Sequence, residues 1–171
     1  MKIDKIKLLL FALLVLFSVG CDRVTKDLAK THLDGLGEFS YLGDTFRLVY
    51  VENPGAAMSF GADWNPDLKF WILSLLPMVV LVLVLGFVLK NISRLRLVHI
   101  LGLGFIIAGG MGNLFDRFFN NSLVPDFMNL GVNSLRTGIF NVADVCITTG
   151  IIITLFFYKS MERATADVQQ D

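Results

Sequence analysis

Asp126 and Asp144 are the residues in this sequence whose type and placement could carry chemistry. Between Gly109 and Cys146, two apolar segments each carry an unusually polar patch. Asn113, Asp116 and Arg117 close the first, Asp126 lies in the stretch between them, and Asn141 and Asp144 lie just inside the second. A carboxylate beside a membrane-like segment is costly and is a functional candidate by default. If Asp126 and Asp144 approach closely, their like charges cannot both ionise cheaply, and the pair keeps one proton near neutral pH. The ionised member can then take a proton from water while the protonated one hydrogen-bonds a scissile carbonyl and later helps protonate the leaving amine. That is a hydrolytic site needing no Ser, Cys or metal. Asn53, Asn113, Asn141 and Arg117 could orient the carboxylates or hold substrate carbonyls and head groups.

Read from residues alone, alternatives stay open. Asp144 pairs with Arg117 or Lys26 to tie helices together while Asp126 is a solvated loop acid, or Asp144 and Asn141 form a proton or ion site in a transporter. Against the transporter, the chain shows no internal repeat and no broken helix at the midplane. Presenilin-like proteolysis needs Gly-x-Gly-Asp, and Gly110-Met111-Gly112-Asn113 has Asn in that place. Asp116, next to Arg117, reads as an ion-pair or helix-end residue rather than a catalytic one.

The elements that must position these groups are membrane spans. The 171 residues allow one domain, and they are 54% hydrophobic and only 18% charged, with mean hydropathy +0.65, against roughly 25% charged in soluble domains. A formal net charge of zero argues against a nucleic-acid partner, which would call for a basic surplus. Cys21, Cys146, His32 and His99 have no short regular spacing, so neither a disulfide framework nor a metal set is expected. No cofactor is expected either.

Lys2, Lys5 and Lys7 precede an apolar run from Leu8 to Gly20. A cleaved signal peptide is one alternative. Acylation at Cys21 is another, because Ser18-Val19-Gly20-Cys21 partly resembles a lipoprotein site. A retained first span is expected at about 6–26, running on through Asp22 and Lys26, whose i, i+4 spacing puts them on one face. Further spans are expected at about 68–89, 98–117 and 139–158, separated by outer loops at about 27–67 and 118–138. Pro77 is expected to kink the second, and glycines from Gly102 to Gly112 to bring helices close to the third. In the first loop, Phe39–Leu42 and Thr45–Val51 flank the turn signal Gly43-Asp44, which predicts a small sheet on the membrane surface. In Val51–Gly61, Pro54 and Gly55 break regular structure, and Asn53 reads as a turn-forming amide. Asp144 is expected one to two turns inside its helix. Basic residues at the amino terminus, at Lys90, Arg94 and Arg96, and at Lys159 and Arg163 all fall on one side, so both termini are expected in the cytoplasm and Asp126 outside.

The fold expected is an all-α membrane protein of four transmembrane helices, with a small extracytoplasmic sheet and an outer loop or helix over the site. Five blocks then resemble the lipoprotein signal peptidase (signal peptidase II) family: Asp22-Arg23-Val24-Thr25-Lys26, Asn53-Pro54-Gly55-Ala56-Ala57-Met58-Ser59, Gly112-Asn113-Leu114-Phe115-Asp116-Arg117, Val124-Pro125-Asp126-Phe127 and Phe140-Asn141-Val142-Ala143-Asp144. Each block alone is weak, but five in order within four spans are specific. The resemblance implies a membrane aspartic endopeptidase of the bacterial cytoplasmic (inner) membrane with Asp126 and Asp144 catalytic. It implies that Asp22, Lys26, Asn53, Gly55, Asn113, Asp116, Arg117 and Asn141 support substrate binding or site geometry. The implied substrate is a prolipoprotein carrying diacylglycerol on a Cys, cut on the amino side of that Cys, with membrane lipid as the other partner. The sequence departs from the family at Met58, where Phe is common, and Met is apolar and adaptable.

Overall fold

The computed structural model describes residues 4–159; Lys2 and Arg163, two of the basic residues used above to orient the chain, lie outside them. Helix α1 spans Lys5–Leu33, and its start is fixed by Asp4, whose side chain accepts from the Ile6 and Lys7 amides. It runs through Asp22 and Lys26, as their spacing predicts. A helical stretch α2 covers Pro66–Asn91, α3 covers Leu97–Phe119 and α4 covers Val142–Phe156. By length and composition α1, α2 and α3 are each able to cross a membrane, while α4 is a shorter apolar helix. Side chains such as Leu13, Phe17, Val82, Leu83 and Leu155 are exposed, which suits helices whose outer faces meet lipid.

The kink expected at Pro77 takes a specific form. Residues Phe70–Leu75 inside α2 form a π-helical turn, and the Leu76 amide bonds back to the Trp71 carbonyl. Proline has no N–H and its ring crowds the carbonyl four residues earlier, so the backbone just before Pro77 widens by one residue instead of closing a regular turn.

Helix α3 is the hub. Ile100, Leu103, Ile107 and Ala108 pack with Phe11 and Val15 of α1 and Val88 of α2. Against α4 the backbones nearly touch, because a Cβ on Gly109 would strike the Ala143 carbonyl and one on Gly150 the Gly102 carbonyl. In lipid, helices gain little from burying apolar area, so close backbone approach at small residues supplies the packing energy.

Outside the helices stands a four-stranded antiparallel sheet in the order β1-β2-β3-β4, made of Phe39–Tyr41, Phe46–Asn53, Val124–Val132 and Leu135–Arg136. The β1–β2 hairpin turns at Gly43 and Asp44, where both residues have positive φ. Asp44 is held there by the Arg47 guanidinium at 2.6 Å and by Ser40 at 2.7 Å, and these hydrogen bonds keep its carboxyl below the usual carboxylate range. The second outer segment, expected as a loop over about 118–138, supplies β3 and β4. Pro125 lacks an N–H, but β4 pairs only with Gly131 and Val132, so β4 needs no N–H from position 125. The register sets Asp126 opposite Val51 and Val124 opposite Asn53. That brings the end of β2 and the start of β3 to the ends of α3 and α4.

Candidate active site

Helix α4 begins where the sequence supplies a cap. Asn141 is the N-cap with extended backbone, and its side-chain carbonyl accepts from the Asp144 amide at 3.0 Å. Asp144 returns the bond, its Oδ2 accepting from the Asn141 amide at 3.1 Å. This reciprocal arrangement is a capping box. It corrects two expectations: Asn141 lies outside the helix body, and Asp144 sits in the first turn rather than one to two turns inside. The helix starts at Val142, three residues later than position 139, because the capping amide ends the extended segment there.

Asp126 reaches the same point from β3. It is 3% exposed, and its Oδ1 accepts from Asn141 Nδ2 at 2.6 Å while Oδ2 accepts from Asn53 Nδ2 at 2.9 Å. Asp144, half-buried, accepts on Oδ1 from Asn113 Nδ2 at 2.8 Å, and Asn141 Nδ2 also donates to Asn113 Oδ1 at 3.2 Å. Every oxygen of both carboxylates therefore accepts an N–H. Burial pushes the Asp126 carboxyl up to about 6, with the Asn53 hydrogen bond opposing, the Asp144 charge adding to the rise, and Asn141 and Lys26 opposing it more weakly. Desolvation outweighs the donors here because amides hold a carboxylate without neutralising it.

The remaining acids are bound differently. Lys26, 1% exposed, donates to Asp22 Oδ2 at 2.8 Å, to Asp116 Oδ2 at 2.7 Å and to Asn113 Oδ1 at 3.1 Å. Arg23 donates to Asp116 Oδ1 at 2.5 Å, and its guanidinium lies 4.9 Å from the centre of the Phe115 ring. Asp22 Oδ1 in turn accepts from the Ala143 amide at 2.9 Å, a bond from α1 to the first turn of α4. Two cations and two carboxylates thus form a neutral quartet behind the candidate pair, buried except for Arg23. The ion pairs formed among the described residues do not include Asp126 or Asp144, so the alternative in which Asp144 pairs with Lys26 or Arg117 is not what the fold adopts.

Arg117 instead donates to the Gly55 carbonyl at 2.7 Å. Asn53 does form the turn that its type suggests, its Oδ1 accepting from the Gly55 amide at 2.9 Å, and it binds Asp126 with its other end. Gly55 has no room for a side chain, because a Cβ there would lie 2.6 Å from the Ser59 and Phe60 backbone. The loop then passes through a turn at Ala57–Ser59 in which Met58 and Ser59 both have positive φ, and Met58 is 78% exposed. Below this loop opens a cavity of about 760 Å³. Asn53, Asn113, Arg117, Asp126 and Asp144 line its polar end, and Ile72, Leu73, Pro77, Leu114 and Ile147 belong to its apolar wall.

The structure thus brings together all the residues named from sequence: Asn53, Gly55, Asn113, Arg117, Asp126, Asn141 and Asp144 at or beside the cavity, and Asp22, Lys26 and Asp116 behind it. Arg23 was not singled out, although a second cation next to Asp22 at the end of an apolar helix is a readable signal. Ile72 and Leu73 carry no sequence signal, since an apolar residue in an apolar span is unremarked until the fold sets it on the cavity wall. Among the described residues no group of three or more His, Cys, Asp or Glu is placed to hold a metal ion.

A family model described as Signal peptidase (SPase) II matches residues 14–159. The lipoprotein signal peptidase of Borrelia hermsii is 30% identical over 173 residues, covering 98% of this chain and all of that protein. That of Tropheryma whipplei is 34% identical over 154 residues, covering 87% of this chain and 93% of its own. Two solved structures described as bacterial membrane enzymes share the fold: one, determined in meso at 2.3 Å, has TM-score 0.73 and 23% identity, with 90% of each chain covered. The other, at 1.9 Å, has TM-score 0.70 and 25% identity over 85% of this chain and 90% of its own.

Proposed function

The chain belongs to the signal peptidase II family, and from that membership we propose that it is an aspartic endopeptidase that frees lipid-modified prolipoproteins from their signal peptides by means of Asp126 and Asp144. The observation that carries this reading is the meeting of these two acids, one from β3 and one from α4, through the single side chain of Asn141 at the polar end of an apolar cavity.

Asp126, with its carboxyl raised to about 6, holds the shared proton, and Asp144 is the base. Water attacks the scissile carbonyl carbon as its proton passes to Asp144, and the Asp126 proton passes to the carbonyl oxygen. In collapse the carbon–nitrogen bond breaks, Asp144 returns its proton to the leaving amine, and Asp126 recovers one from the tetrahedral hydroxyl. Asn53, Asn113 and Asn141 hold the carboxylates in place throughout, so little reorganisation is needed as charge moves. The apolar wall at Ile72, Leu73 and Ile147 suits a signal helix and the acyl chains of a diacylglyceryl Cys, with the bond on the amino side of that Cys at the carboxylates.

Charge placement orients the chain. The start of α1 is tied to the α2–α3 connection, Lys7 donating to the Ser93 and Leu95 carbonyls at 3.0 and 2.9 Å, and Lys90, Arg94 and Arg96 lie nearby in sequence. By the positive-inside rule this end is cytoplasmic. The sheet and the pair then lie at the outer face of the bacterial cytoplasmic membrane, with both termini inside. The loop from Pro54 to Gly61, latched by Arg117, covers the site and limits entry of bulk water.

The test is cleavage of a diacylglyceryl-modified precursor by Asp126→Asn and Asp144→Asn enzymes. Each is expected to lose activity by about a thousandfold or more while still inserting in the membrane; full cleavage by either refutes the two-aspartate site.

A further inference from the structure

We propose that Lys26 is a positioning residue for the catalytic pair: by binding the Asn113 carbonyl it fixes which end of that amide faces Asp144 and, through Asn141, which end of the next amide faces Asp126. This rests on the reading of Asp126 and Asp144 as the catalytic pair.

An ammonium has three donors and no acceptor. Lys26 directs them to Asp22, Asp116 and Asn113 Oδ1 and is sealed from water. Asn113 presents a carbonyl at one end and an NH₂ at the other, so with a donor-only neighbour its carbonyl must face Lys26. Its NH₂ is then left for Asp144 Oδ1, at 2.8 Å. The same carbonyl accepts from Asn141 Nδ2 at 3.2 Å, which turns the Asn141 NH₂ toward Asp126 and leaves the Asn141 carbonyl for the Asp144 amide. Amide polarity thus runs from Lys26 to both carboxylates. If Asn113 turned over, its carbonyl would face Asp144, acceptor against acceptor, and the ionised form would lose a donor.

What passes along this chain is orientation more than charge, because Asp22 and Asp116 balance Lys26 and Arg23. The charged groups around the pair are Asp22, Arg23 and Lys26 from α1, Asp116 and Arg117 from α3, and the pair itself on β3 and α4; β2 contributes the neutral Asn53, its Glu52 being turned to Lys30 and Tyr50.

The test uses the full-length enzyme and a lipidated precursor, with kcat and KM measured across pH. Three enzymes are compared with the parent: Lys26→Met, the double substitution Lys26→Met with Asp116→Asn, and Asn113→Leu. The double variant removes one charge of each sign, so Arg23 and Asp22 still balance. It is expected to recover thermal stability over the single variant. Its kcat stays at least about tenfold below the parent, KM stays within about twofold, and the acidic limb of kcat moves up by about one pH unit. Asn113→Leu, which leaves the quartet intact, is expected to move the same limb in the same direction. Parental kcat and an unmoved limb in the double variant make Lys26 a charge-balancing residue only and overturn the proposal. An unmoved limb in Asn113→Leu overturns it whether or not the Lys26 variants fold. Asp126→Asn and Asp144→Asn are assayed alongside: activity in either defeats the two-aspartate reading itself, whereas inactivity in both with parental profiles elsewhere defeats only the role of Lys26.

Discussion

Asn141 donates to Asp126 across 2.6 Å although fifteen residues separate them in the chain. The same side chain caps α4 by accepting from the Asp144 amide. A residue that serves as a helix cap therefore also binds the Asp126 carboxylate, so one side chain touches both acidic residues.

Replacing Asn141 separates these roles. Asn141→Leu is expected to cost about 1–2 kcal/mol for the lost cap and to reduce cleavage at least about a hundredfold. Asn141→Asp retains an acceptor for the Asp144 amide but sets a third carboxylate against Asp126. It should recover part of the thermal midpoint and none of the activity at neutral pH, and a parental rate in either variant would remove Asn141 from the site.

Stability should depend on pH through Asp126. Its folded carboxyl is raised from an ordinary value of 3.8 to about 6, so the folded state holds the proton more tightly than the unfolded chain. The associated stability is fully present below about pH 4 and is lost as pH rises through about 6. Asp126→Asn has no proton to lose, so its thermal midpoint relative to the parent should rise by several degrees between about pH 4 and 7. A difference that stays flat with pH would show that Asp126 titrates normally.

With the pair working on one proton, as proposed, the rate should be bell-shaped in pH. On that proposal the alkaline limb belongs to loss of the Asp126 proton, near pH 6 in kcat/KM, which reports the free enzyme. Substrate covers the site and desolvates it further, so in kcat this limb should lie higher. A kcat limb below that of kcat/KM would contradict the assignment.

Breaking the buried quartet should damage folding first. Asp116→Asn leaves Lys26 and Arg23 with Asp22 alone, an uncompensated buried charge that costs about 3–5 kcal/mol. Membrane-inserted yield should fall steeply, while protein that does insert keeps its aspartate pair and cleaves the precursor. Parental yield together with no cleavage would instead move Asp116 into the catalytic site.

The covering loop depends on Gly55 and its bond from Arg117. Gly55→Val must displace the Ser59 and Phe60 backbone, and trimming the β1–β2 hairpin shortens the sheet from which the loop leaves at Asn53. Both changes should lower turnover more than expression. Unchanged activity after both would remove the covering role.

Residue types alone could not rank the acids. Asp22, Asp116, Asp126 and Asp144 are all carboxylates beside apolar segments; the fold gives two of them cations and the other two amides. The local pairing of Asp22 with Lys26 was legible from their i, i+4 spacing, and the β1–β2 turn from Gly43-Asp44. The partnership of Lys26 with Asp116 spans ninety residues and left no local signal. Nor did β3, whose strand character depends on pairing with β2; the π turn before Pro77 was legible only as a kink, without its form.

The sequence by itself determined the apolar helices, because entry into lipid depends on about 20 consecutive side chains and satisfies every backbone group within the segment. It also determined the block pattern that fixes the family. Only the tertiary structure decided which acids are neutralised by cations and which are merely held by amides. Apart from the Asp22–Lys26 pair within α1, that choice rests on contacts between α1, α3, α4 and the sheet, which no window of neighbouring residues encodes.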